Sequence, residues 1–521
     1  MMKTLLQKIS RVAPLFLLLS SCDKGFEEMN VDPNKYAEVI PGYLFTRSQL
    51  DGVSTNFTGA AYLTIGQSMQ HFATYKEVPA AGDKYFNFGY STGNWSAYAG
   101  TGAGQGAVIS VRQVIDAVST NPADVNKLSA ARIWKAYIFH RLTDLYGDIP
   151  YFDAGKALSD KNYGPKYDFQ QAIYADLLKE LDESIRAFDA TKPTFGNADL
   201  MFGGDVTKWK KFAYSLMLRL GMRLTEVDAA TAKTWVEKAI AGGVILDDAD
   251  RAVIAYVDGS QIASRNFIAN GLISIDYVTA GGDNVEGGKL AKTLIDYLKI
   301  TKDPRLNVVS IVWTSPDGKT FTADTTTALQ SGMPNAAFNN LPATFNSFSE
   351  PNPNTLLKYS APLIVLGNAE MNLLLTEAAV RGWYGGSPAA TTYVNAVRAG
   401  MRQWSLFGTG GIISDAKING YLATNPYKTG GTVAHQLEQI QIQKWVSLFL
   451  EDGYEIFSNW RRTGYPVLTP TNYPGNLTGG KIPTRFVIPD SEETYNKSNF
   501  MEARARQGGT NTLSSVVWWD K

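Results

Sequence analysis

Residues 129–150 read SAARIWKAYIFHRLTDLYGDIP, and this run sets the fold class. Its apolar residues Ile133, Trp134, Tyr137, Ile138, Leu142 and Leu145 recur at the 3.6-residue spacing that gathers them on one helix face. Ser129 is placed to cap the start, since a hydroxyl there can accept an amide that has no carbonyl partner. Gly147 and Pro150 end the run: glycine tolerates the turn that closes a helix, and proline has no amide to continue one. Working outward, Asp168 with Gln171 has the form of a capping box and opens a second amphipathic run carrying Ile173, Leu177, Leu181, Ile185 and Phe188. Thr207 stands in the same relation to Trp209, Phe212, Ala213, Leu216, Met217, Leu220 and Leu224. Helices of this length, joined pairwise, stack as tetratricopeptide-like hairpins, here without a strict repeat period.

The rest of the chain frames these hairpins. A first helix is expected over about 42–72, and helices return over 368–381, 387–403 and 433–451. Between them lie two irregular insertions. Residues 76–106 are glycine-rich and hold Tyr85, Phe86, Phe88, Tyr90, Trp95 and Tyr98, while 244–360 carry a β-leaning run at 308–313 and a Pro-Asp-Gly turn at 316–318. The tail from 459 is again loop-rich and runs to Trp518 and Trp519. The expected class is mainly α: helical hairpins with an irregular, loop-rich subdomain and a few short strands. Trp134, Trp209 and Trp445 fall on apolar helix faces and are assigned to the core.

The N-terminus places the body. Lys3, Lys8 and Arg11 precede an apolar stretch over 12–19 that is too short to span a bilayer, and Ser20-Ser21-Cys22 follows. The chain's one cysteine at that position makes a bacterial lipobox, so 1–21 are read as a signal peptide, Cys22 as the lipidated residue and 22–42 as a polar tether. Cleaved there, the chain has 46 basic against 49 acidic residues and no other thiol. No nucleic-acid partner, disulfide or cysteine metal site is expected, and the lipid is the only membrane attachment.

Catalytic patterns are sparse. His71, His140 and His435 share no metal-ligand spacing, no phosphate-cradling glycine motif is present, and no cofactor is expected beyond the lipid; nothing in the sequence indicates a calcium ion. Glu370 and Glu377 lie on one helix face about 10 Å apart along the axis, a separation a glycosidase pair can have. The plainer reading makes them charged residues on the wet side of their helix, and expects Glu451 and Glu455 to form ion pairs with Arg461 and Arg462. The chain therefore reads as a binding protein, not an enzyme. Aromatic residues, 12% of the chain, are the one compositional hint of a ligand.

Taken in order, several motifs resemble the SusD/RagB-like nutrient-binding outer-membrane lipoproteins, in particular the second SusD-like subgroup. They are Asn30-x-Asp32-Pro33-Asn34, Tyr146-Gly147-Asp148-Ile149-Pro150, Gly204-Asp205 with Trp209, Asp303-Pro304-Arg305-Leu306, Gln443-Lys444-Trp445, and above all Trp460-Arg461-Arg462-Thr463-Gly464-Tyr465-Pro466. Ile488 and Phe500 stand where the family usually has tyrosine. The resemblance implies one SusD-like domain over 43–521, with hairpins facing a SusC-like TonB-dependent transporter. A loop-built side would face a glycan, or a peptide in some relatives, outside the cell, with the outer membrane reached through the lipid.

For the ligand site, the loop rings Tyr85, Phe86, Tyr90, Trp95, Tyr277 and Trp313 are the candidates. Trp95 with Tyr98 equally suits opening a helix, and Tyr277 or Trp313 a small satellite core. Two other functions stay open: a surface glycoside hydrolase using Glu370 or Glu377, and a scaffold that holds a protein partner without a small ligand.

Overall fold

The computed structural model describes residues 40–75, 82–86, 92–100, 106–157, 159–275, 277, 288–317, 319–336 and 344–520. Tyr90 lies outside them, as do Cys22 and the signal and tether over 1–39. From Gly42 onward the chain forms one compact unit. Its helical part begins with α1 (Pro41–Ser54), then α2 (Ala107–Val118), α3 (Val125–Tyr146), α4 (Gln170–Ala187), α5 (Val206–Arg223) and α6 (Ala229–Gly242). Successive members of α2 to α6 pack against one another as hairpins. The long insertion carries α7 (Lys292–Ile300), and a second helical block follows it with α8 (Asn368–Val380), α9 (Ala389–Arg402), α10 (Asp415–Thr424), α11 (Val433–Ser447), α12 (Gly453–Thr463) and α13 (Lys497–Arg506). Here α8 packs on α9 and α11, and α8 also reaches α5 of the first block. No helix among the described residues is long and apolar enough to cross a membrane.

The strands are short and antiparallel. β1 (Phe72–Thr74) pairs with β5 (Gly288–Leu290), β2 (Ile149–Pro150) with β3 (Tyr167–Asp168), and β4 (Ala252–Ile254) with β9 (Leu363–Leu366). β6 (Ser310–Thr314) lies between β7 (Thr322–Asp324) and β8 (Glu350–Pro351). The β1–β5 pair joins the segment just ahead of the first insertion to the second insertion, with Phe72 opposite Leu290.

Several helix ends differ from the sequence expectation. Ser129 is buried inside α3, which starts at Val125 behind a short turn that Asn121 caps through Ala123 N at 3.0 Å. Asp168 does not cap α4; its Oδ2 accepts from Tyr151 N and Phe152 N and so closes the β2–β3 ribbon. The cap comes from 22 residues upstream, where Asp148 Oδ1 accepts from Gln170 N at 2.9 Å. At α5 the capping oxygen belongs to Asp205, which accepts from Thr207 N and Lys208 N. The single helix expected over 42–72 is broken. Asn56 takes a left-handed conformation (φ 47°), a π-helical stretch spans Phe57–Gly66, and Phe72 enters β1. Gly147 ends α3 as expected, with φ +83° and its amide on Thr143 O.

Trp134, Trp209 and Trp445 are buried in one continuous core. Each indole N–H has an acceptor there: Ser48 O for Trp134, Asp199 Oδ2 for Trp209 and Met69 O for Trp445. That satisfies the one polar atom of a side chain otherwise suited to apolar burial.

Candidate ligand-binding cleft

The glutamates of the helical face resolve first. Glu370 meets Arg219 at 2.5 Å and Lys444 at 3.2 Å, inside the protein. Glu377 accepts from both Arg462 terminal nitrogens at 2.6 and 2.7 Å, from Arg381 at 3.0 Å and from Gln441 at 2.7 Å. Burial alone would push Glu377 up, but the Arg462 guanidinium overrides it and holds the carboxyl at about 2. Both glutamates are therefore buried, not on the wet helix side expected of them, because arginine and lysine from other helices neutralise them there; carboxylates fixed in this way act as braces. The expected pairing of Glu451 and Glu455 with Arg461 and Arg462 is not formed. Glu455 binds Arg223, Lys444 and Arg219; Arg462 belongs to Glu377; Arg461 donates to Thr484 O and Ser458 Oγ; and Glu451 accepts from Ile364 N. The side chains on α5 and α11 reach Glu455 before those of its own helix, whose arginines point to other walls.

On the loop-built side, four segments distant in sequence enclose a cleft of about 530 Å³. Gln70 follows the π-helical stretch, Lys292, Thr293 and Asp296 come from α7, Pro334 to Ala336 from the middle insertion, and Thr469 to Tyr473 from the tail. Gln70 fastens two of them: its Nε2 donates to Thr469 O at 2.5 Å and its Oε1 accepts from Thr293 Oγ1 at 2.6 Å. Asn335 Nδ2 donates to Phe72 O at 2.8 Å and ties the insertion to β1. Apart from Lys292 and Asp296, which pair with each other, the lining is amide, hydroxyl, proline and one phenol ring. A cavity of this volume accommodates a small ligand, and the groups present suit a neutral, hydroxyl-rich one.

None of the described rings expected from sequence lines this cleft, and two stand directly behind its wall. Tyr85 is buried with φ +53°; its Oη accepts from Thr471 N at 3.4 Å and its carbonyl accepts from Leu477 N at 2.7 Å. Phe86 is half-buried and meets the Tyr473 ring edge-on at 6.3 Å. The others are engaged elsewhere. Trp95 donates to Glu492 Oε1 at 3.1 Å and packs against Tyr98, Tyr146 and Tyr167. Tyr277 is buried with its hydroxyl 3.3 Å from that of Tyr62, and Trp313 donates to Glu350 Oε2 at 2.9 Å. Tyr473 is the ring that sequence reasoning missed. Its signal was the turn-rich context Asn472-Tyr473-Pro474-Gly475-Asn476, which places a ring on a loop where no helix face could absorb it.

Comparison with known proteins fits this architecture. The SusD-like family described as starch-binding associating with outer membrane matches residues 33–489. None of the curated proteins matches the chain. Among solved structures, a chitin-binding protein is 32% identical, with 92% of this chain and 100% of that one covered and a TM-score of 0.79. A Bacteroidetes SusD-like protein superposes with a TM-score of 0.81 at 24% identity over 93% of this chain and 100% of its own, a likeness of fold. A SusD homolog from Bacteroides uniformis gives 0.72 at 25% identity, over 92% and 99% of the two chains. Matched over most of its length, and folded as helical hairpins beside a loop-built face, the chain belongs to the SusD-like family of nutrient-binding proteins associated with the outer membrane.

Proposed function

We propose that this protein captures a neutral oligosaccharide in the cleft between Gln70, α7, Asn335 and Tyr473, and delivers it to a SusC-like TonB-dependent transporter. In this reading it is held at the outer face of the outer membrane by a lipid on Cys22. The observation that carries the proposal is the composition of the cleft. Amides and hydroxyls able to exchange hydrogen bonds with sugar hydroxyls stand beside a tyrosine ring and two prolines, and the single charge couple neutralises itself. A strongly anionic or cationic ligand would find no uncompensated counter-charge there. The description of one relative as chitin-binding and of the family as starch-binding supports a glycan and suggests the probes. The protein acts by binding: Glu370 and Glu377, the carboxylates that could have served hydrolysis, are locked to arginine and lysine inside the helical core.

The test is titration calorimetry with chitohexaose and maltoheptaose, on the wild-type protein and on Tyr473→Ala. Removing an aromatic plate from a sugar site costs on the order of 1 kcal/mol or more. At least one glycan should bind the wild type, and Tyr473→Ala should weaken it at least about fivefold. Binding that is indifferent to Tyr473→Ala would move the site elsewhere, and steady release of reducing ends would refute a binding-only role.

A further inference from the structure

Directly behind the cleft, two adjacent charged residues lie wholly inside the protein. Asp83 and Lys84 are 1% and 0% exposed, and their charged groups are 3.2 Å apart. Fully buried aspartate and lysine are rare, because the pair must recover the hydration both ions lose. Their partners here belong to two walls of the cleft and to the end of β1 behind it. Asp83 Oδ2 accepts from Ala336 N at 2.8 Å, on the insertion wall. The Asp83 carbonyl accepts from Thr471 Oγ1, on the tail wall. Lys84 Nζ donates to Thr74 O at 3.0 Å and to Thr74 Oγ1 at 3.2 Å, at the end of β1, and stands 5.9 Å from the centre of the Tyr473 ring.

We infer that Asp83 and Lys84 are the positioning device of the cleft: the Asp83 carboxylate, paired with Lys84, holds the Ala336 wall, while the Asp83 carbonyl and the Lys84 ammonium beside the Tyr473 ring hold the tail wall. The inference rests on the cleft being the ligand site for its effect on affinity, but not for its effect on the walls. Neither residue lines the cleft, so neither touches a bound glycan. Their action is to pre-order a site assembled from segments about 250 and 390 residues away in sequence, which would otherwise pay the ordering cost at the moment of binding. A neutral pair of similar shape could fill the same volume. What the charges add is direction: a carboxylate accepting from both a backbone amide and an ammonium has one arrangement that satisfies all three.

The experiment reads the walls and the ligand separately. Asp83→Asn keeps the size and one carbonyl oxygen but removes the charge facing Lys84. If that variant fails to fold, Asp83→Asn/Lys84→Met removes both charges and carries the same readouts. Hydrogen exchange should quicken on the order of tenfold or more at the amides around 334–336 and 469–473, with α3, α5 and α8 unchanged. Affinity for chitohexaose, or for maltoheptaose if that is the glycan bound, should fall on the order of tenfold. Unchanged exchange at both walls overturns the inference, and so does an even increase across the helices, which would make the pair a general stabiliser. Quickened walls with affinity unaltered in both Asp83→Asn and Tyr473→Ala would uphold the positioning role and overturn the cleft as the site.

Discussion

Glu451 offers a sharp test of the core's electrostatics. The residue sits where α11 gives way to α12, and its carboxylate accepts a 2.8 Å hydrogen bond from Ile364 N at the start of β9. The nearest guanidinium sharing its small cavity, Arg141, is already engaged by Gly52 O at 2.9 Å and by the face of Tyr454 at 4.0 Å. Burial, then, pushes the Glu451 carboxyl up to about 8, against only the opposing pull of the Ile364 amide, and the neighbouring Asp452 raises it further. The folded protein keeps a proton that the unfolded chain releases near pH 4.5. Stability is therefore unpenalised below that pH, falls by about 1.4 kcal/mol per pH unit between about 4.5 and 8, and is flat in this term above 8. Between pH 5 and pH 8 the loss amounts to about 4 kcal/mol. Glutamine imitates the protonated acid, so Glu451→Gln should abolish this slope. Urea unfolding of both proteins from pH 5 to 9 measures it, since all other titrations cancel in the difference. The variant should gain on the wild type by about 4 kcal/mol across that interval. A difference that stays constant to within about 1 kcal/mol would refute the argument, because it would mean the carboxylate is solvated or paired in the folded state.

Other consequences are as direct. Glu377→Ala strands the buried Arg462 without its anion, while Arg381 keeps Glu226 at 3.0 Å, and should cost about 3–5 kcal/mol in urea unfolding; a Glu377/Arg462 double change to apolar residues recovers much of it. Gly82→Ala brings a methyl to 1.9 Å from the Thr64 carbonyl oxygen, backbone that cannot swing aside, so the 82–86 segment must shift; a stability loss of about 1–3 kcal/mol and weakened glycan binding are expected by calorimetry. Trp95→Ala and Trp313→Ala lose their bonds to Glu492 and Glu350 and should lower the melting temperature with glycan affinity unaltered.

The hairpins were legible because an apolar stripe at helical spacing is a local property, and α3, α5 and α8 carry it within a score of residues. Their starts were less so. Ser129 and Asp168 have the chemistry of caps, yet the hydrogen bond that the Gln170 amide donates to Asp148 depends on how β2 turns back, which no window around Gln170 contains. Glu370 and Glu377 were expected on the wet side of their helix; they are buried because arginines 151 and 85 positions away in sequence hold them, partners that no local window contains. The cleft was the least legible feature. Gln70, Thr293, Asn335 and Tyr473 share no motif and no spacing; they become neighbours only once β1 pairs with β5 and the tail folds across both. Of the ring-rich loops, Tyr85 and Phe86 stand behind the cleft wall and the other described candidates pack elsewhere, because a ring's context alone does not say whether its face is spent on Glu492, on Tyr62 or on solvent.

The ion network around Arg219 has a consequence for how the molecule comes apart. In an ordinary helical solenoid each repeat feels only its neighbours, so the array can fray from an end one unit at a time. Here Arg219 and Arg223 of α5 reach Glu370 of α8, Asp452 beside α12, Glu455 of α12 and Asp144 of α3, and Lys444 of α11 closes the ring. Peeling away the C-terminal helices would expose charges of both signs in a dry interior, each stranded without its counter-ion. The two helical blocks, separated by the long insertion, therefore lose their structure together, and a protein built of hairpins melts as a single piece.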